Sequence, residues 1–61
     1  MMLVKVSKIE ELVSAVRLSY KIYYESDNKE MTLLSNDTVT GMSLGDLLMM
    51  ISMEKIYFEK I

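Results

Sequence analysis

Any chemistry in this chain must be done without histidine or cysteine, since it contains neither. Zinc sites of the usual kind, haem ligation, disulfides, Cys–His nucleophiles and Ser–His–Asp triads are thereby excluded. What remains is Asp, Glu, Lys, Ser and Tyr, which act as acids, bases or nucleophiles only in a desolvated cleft that shifts their pKa. A pocket for a drug-sized ligand takes roughly 300 Å³ or more, which a chain of 61 residues can seldom spare. Glu10 and Glu11 are the nearest approach to a carboxylate pair, and a helix start and a solvated helix face account for them. The reading is non-enzymatic, with no catalytic residue.

Ion and phosphate sites fare no better. Asp27, Asn28 and Glu30 offer oxygen ligands in a turn, but the alternating acids, central glycine and closing glutamate of a calcium loop are missing. The only glycines are Gly41 and Gly45, so there is no glycine-rich phosphate loop. Gly45, in the first turn of a helix, leaves amides open to an anion, although capping is the ordinary use of such a position. No metal and no cofactor are expected.

The methionines carry the most information. There are seven, and methionine is flexible, polarizable and over-used where one surface adapts to a partner. Met49 and Met53 point away from the stripe formed by Leu44, Leu47, Leu48 and Ile51, and Met50 flanks them. A helix that is apolar nearly all round is buried on two sides. The second side is expected to be an interface, so the chain is read as a homodimer meeting through this helix or presenting it to another protein. Tyr20 and Tyr24 share the inward face of a strand and read as core. Tyr23, with Lys21 and Arg17, forms a small basic–aromatic stripe of the kind that stacks bases. Direct nucleic-acid binding is not expected, because the net charge is −2 and the seven basic residues are scattered.

The elements that position these residues follow from periodicity. Met2, Val4 and Val6 alternate with Leu3 and Lys5, a short strand. Ser7 and Glu10 form a capping box for a helix over 7–17, with Ile9, Leu12, Val13 and Val16 as its apolar stripe. Residues 18–25 alternate as a strand. Ser26-Asp27-Asn28-Lys29 is turn chemistry, and Met31 to Leu34 returns. Thr38-Val39-Thr40 resumes β-type residues, so a hairpin, extended to a three-stranded meander in one variant of the reading, is expected across 18–42. Ser43 caps a second helix, with Asp46 at its third position and Met42 and Leu47 as a hydrophobic staple. Lys55 to Ile61 reads as a closing strand, and its rival is one helix from 43 to 60. The fold class is α+β: a small antiparallel sheet of three to four short strands with two helices packed on one face, in a single domain spanning 1–61.

Charge and size set the boundary conditions. The middle third, residues 25–46, holds Glu25, Asp27, Glu30, Asp37 and Asp46 against Lys29 alone. It is a prospective acidic patch, or a pair of solvated turns. Roughly 60-residue domains sit near marginal stability, and without disulfides or metals self-association is the remaining staple. No targeting segment or membrane span is visible, and a soluble cytoplasmic protein is expected.

Gly41-Met42-Ser43-Leu44-Gly45-Asp46-Leu47, preceded by a tyrosine-rich hairpin and followed by a short strand, resembles the small phage-encoded uracil-DNA glycosylase inhibitors. The resemblance covers about residues 18–61 and is close only over those seven residues. It implies a homodimer that presents carboxylates as DNA phosphates would, with Asp46 and Leu47 at the contact surface. Leu47 stands where that family has an aromatic wedge, and the helix at 7–17 is additional. The expected role is a protein-binding inhibitor or adaptor, of a size that suits a viral or mobile-element protein blocking a host factor. A DNA-mimic inhibitor of a DNA-processing enzyme and a small-ligand or nucleic-acid binder are the alternatives.

Overall fold

The computed structural model describes residues 2–60. Met1, and Ile61 at the end of the expected closing strand, lie outside the described residues. In chain order the elements are β1 (Met2–Lys5), α1 (Ile9–Arg17), β2 (Ile22–Glu25), β3 (Met31–Leu34), α2 (Asn36–Gly41), α3 (Leu44–Ser52) and β4 (Ile56–Lys60). The strands form one antiparallel sheet in the order β1-β4-β2-β3. β4, last in sequence, is inserted between β1 and β2, which therefore run parallel to each other. The fold is α+β, with three helices among the described residues where the sequence suggests two.

Register decides which side chains meet. Val4 pairs with Phe58, Phe58 with Ile22, and Ile22 with Leu34, so these four share one face. That face carries the core: Val6, Ile22 and Ile56 from the sheet layer, Leu12 and Ala15 from α1, Val39 from α2 and Ile51 from α3 are all buried. Tyr20 and Tyr24 pack against it, as expected. Tyr20 stacks on Phe58 with ring centroids 5.8 Å apart, a geometry favoured when offset. On the open face a row runs Lys5, Tyr57, Tyr23, Leu33 across all four strands.

The helix ends correct three expectations. The start of α1 is closed by Glu11, whose Oε1 accepts the N–H of Ser7 at 2.7 Å and of Lys8 at 3.1 Å. Lys8, in extended backbone (φ −139°, ψ 150°), is the N-cap. The Ser7/Glu10 box is therefore displaced by one residue, because the carboxylate three positions past the true cap is Glu11. α1 then ends in a Schellman motif: Tyr20 N–H donates to Ala15 O at 2.9 Å and Ser19 N–H to Val16 O at 3.0 Å. Ser19 takes the left-handed conformation (φ 59°) usually given to glycine. That turn occupies residues expected to begin a strand, so β2 starts at Ile22 and Leu18 is exposed. Thr38-Val39-Thr40, expected as strand, lies in α2. Ser35 Oγ accepts Thr38 N–H at 3.1 Å, Asp37 sits in the first turn, and Val39 is buried. A cap and a buried anchor outweigh the weak strand preference of three residues.

At α3 the expected cap is present: Ser43 Oγ accepts Asp46 N–H at 3.1 Å. The closing strand also forms, in preference to one helix over 43–60. Glu54 adopts φ 61°, and Lys55 N–H donates to Met50 O at 3.1 Å, a second Schellman stop without glycine. Each serine cap is worth about 1 kcal/mol. Ser35→Ala and Ser43→Ala are each expected to lower the melting temperature by several degrees, as a change of that size does in a small domain. Calorimetry showing no shift in either variant would contradict these caps.

Candidate functional site

α3 reads Leu-Gly-Asp-Leu-Leu-Met-Met-Ile-Ser, so hydrophobicity alone does not say which side faces in. The structure turns Leu47, Met50 and Ile51 toward the sheet. At 100° per residue, the opposite side then holds Gly45, Met49, Ser52 and Met53, flanked by Leu44 and Leu48. Met49 and Met53 are 58% and 52% exposed, as the sequence expectation placed them, but Leu44 and Leu48 are 61% and 45% exposed rather than inward. Met50 and Leu47, counted in the expected interface, are half-buried against the core. Asp46 is exposed at the start of the helix. The physical cause is the i, i+3, i+4 spacing of Leu47, Met50 and Ile51, which seats α3 with its Leu44–Leu48 edge rotated out.

Beside this face lies a groove of about 340 Å³, lined by Ile9, Val13 and Val16 of α1, Val39 and Thr40 of α2, and Leu47 of α3. Arg17 stands at the same groove. It belongs to the helical layer, so the expected stripe of Arg17 with Tyr23 and Lys21 does not form. Lys21 precedes β2, and Tyr23 lies in the row across the open face of the sheet. The groove itself is lined mainly by aliphatic side chains, with Thr40 and Arg17 as its polar members.

The acidic residues of the middle third belong to different elements: the β2–β3 hairpin, α2 and α3. Asp27, in the hairpin turn, is ion-paired with Lys55. The hydrogen bond and charge of Lys55 hold the Asp27 carboxyl below its ordinary range, and the same bond pushes Lys55 up. Asp27 is largely exposed, so the pair contributes little to stability. Glu25 is half-buried on the open face, where Tyr57 OH donates to its Oε1 at 3.4 Å. Glu30 closes the turn through its backbone, N–H to Ser26 Oγ at 3.1 Å, and its side chain is exposed. Asp37 is exposed in α2.

Two features escaped the sequence reading. Glu59 is buried on the open face, opposite Leu3 of β1. Met31 and Leu33 are exposed on the outer strand β3, with no charged residue between them and α2. The run of four uncharged residues was the available signal for the second. No protein-family model matches the chain, and no curated protein and no solved structure matches it either.

Proposed function

We propose that this chain is a small non-enzymatic protein-binding module, working as a homodimer, that inhibits another protein or serves as its adaptor. The carrying observation is the outward face of α3. Met49 and Met53 stand opposite the side of the helix that is seated on the core, and the exposed Leu48 and Leu44 flank them. Water is a poor solvent for such a face, and a contiguous apolar patch on a small protein is ordinarily a contact surface. Its two methionines can adjust to an imperfectly matched partner. The adjoining groove adds depth for an anchoring side chain, the arrangement in which binding energy concentrates.

The test is differential capture. The tagged chain and its Met49→Lys/Met53→Lys variant are passed over lysate of the source cell, and bound proteins are identified by mass spectrometry. Both substitutions lie on solvent-facing positions, so the circular dichroism spectrum should be unchanged. At least one protein held by the wild type is expected to fall at least about tenfold in the variant, a loss of roughly 1.4 kcal/mol. An unchanged set of captured proteins overturns the assignment of this face.

A further inference from the structure

The two edges of the sheet differ, and the difference identifies where a second copy fits. β1 is guarded: Lys5, which also pairs with Glu54 at 3.6 Å, stands on it, and an edge lysine is a standard obstacle to strand addition. β3 has no such guard, being Met-Thr-Leu-Leu without charge or proline. The ladder phase shows what it offers. Ser26 N–H donates to Glu30 O at 2.8 Å, so by alternation Tyr24–Thr32 and Ile22–Leu34 are the hydrogen-bonded pairs. The N–H and C=O groups of Met31 and Leu33 therefore point away from β2, and both side chains are exposed. Thr32 is exposed on the helix-bearing face, so the helical layer does not cover this edge.

We propose that β3 pairs antiparallel with β3 of a second copy, about a twofold axis passing through Thr32. This deepens, and rests on, the reading of the chain as a homodimer. In this register Met31 lies opposite Leu33 of the other copy on both sides of the axis, and Thr32 lies opposite itself. All four outward backbone groups on each strand are satisfied, giving four bonds between the copies. The apolar pairs stack on the open face and the threonines meet on the helix face, both favourable cross-strand combinations. In the same register the exposed Lys29 and Glu30 of each copy stand opposite Ser35 and Leu34 of the other, so no like charges face each other next to the axis. The product is a continuous eight-stranded sheet with both α3 faces on one side. Such a dimer engages a partner twice and gains avidity.

Self-pairing of Thr32 supplies a register-specific test by sedimentation equilibrium. The wild type is expected at twice 7.1 kDa at about 0.5 mM, a concentration suited to a small interface. Thr32→Lys alone and Thr32→Glu alone place like charges opposite each other and should run as monomers. Their equimolar mixture should recover the doubled mass, and Met49→Lys/Met53→Lys should remain dimeric. On the wild type itself, the Met31 and Leu33 amides should exchange more slowly as concentration rises, whereas Leu3 and Lys5 should not. That measurement stands even if a Thr32 variant misfolds. A monomeric wild type, dimeric single variants, a mixture that stays monomeric, or loss of the dimer in the α3 variant overturns the proposal. The capture experiment on α3 reports separately, because both chains compared there carry the same β3 and differ only at Met49 and Met53.

Discussion

Replacing Ile22 by alanine is expected to remove about 3 kcal/mol of stability, within the range for truncating a buried aliphatic side chain. Ile22 is 0% exposed and lies between Phe58 of β4 and Leu34 of β3. The vacated space would be walled on both sides by hydrogen-bonded strands, which cannot close in without breaking the ladder. Little relaxation means that the cavity persists and the cost does not fall to the bottom of the range. At about 0.05–0.15 kcal/mol per residue, a chain of this length holds only about 3–9 kcal/mol in total. One substitution can therefore leave a large unfolded fraction at 37 °C. Urea unfolding followed by circular dichroism checks this. A loss under about 1 kcal/mol would be too small for a cavity of this kind.

What the sequence disclosed was mostly local. The β2–β3 hairpin was legible because Ser26-Asp27-Asn28-Lys29 has few alternatives to a turn, and Lys29 does take the left-handed conformation there (φ 67°). The α3 start was legible because Ser43 and Asp46 specify a cap within four residues. The end of α1 at Arg17 and the closing strand were read as they stand, but Ser19, left-handed without being glycine, gave no trace of the turn after α1, so the strand was begun at Leu18 rather than Ile22. α2 was read as strand because two threonines and a valine outweighed the less conspicuous Ser35–Thr38 cap.

Longer-range features were less accessible. Nothing in five residues of Ile-Tyr-Phe-Glu-Lys states that β4 enters between β1 and β2 rather than beside β3. That choice depends on which edges remain unpaired when the last strand forms. The outward face of α3 was anticipated only in part, for a related reason. Along α3 leucine and methionine alternate with too little contrast for periodicity to fix the rotation, and docking against the sheet chose the Leu47–Met50–Ile51 arc. Met49 and Met53 stayed outside, Met50 and Leu47 went in, and Leu44 and Leu48 came out. The acidic residues are close in sequence but sit on the hairpin, α2 and α3, and the long-range pairing of Asp27 with Lys55 has no signal in the sequence.

The rotation of α3 can be tested directly, because it predicts opposite fates for two neighbouring residues. Ile51→Asp is expected to unfold the domain at 25 °C, whereas Met49→Asp should cost about 1 kcal/mol or less. The two positions are 200° apart around the helix, Ile51 being 8% exposed and Met49 58%. Aspartate suits the comparison better than lysine, whose long stem can carry its charge back to water. Both sites lie near the C-terminal end of the same helix, where its dipole disfavours a carboxylate, so that penalty enters both variants alike. What differs is burial. At Ile51 the substitution forfeits an aliphatic contact and strands a short charged group in the core, a cost of several kcal/mol against a stability of about the same size. Far-UV circular dichroism and the dispersion of amide resonances distinguish the outcomes. Tolerance of Ile51→Asp would mean that α3 docks by another arc, and the outward face would have to be redrawn. Unfolding of both variants would mean that Met49 is also buried in the folded species. The α3 face would then be an obligate contact between copies, and the β3 edge would be free for a different occupant.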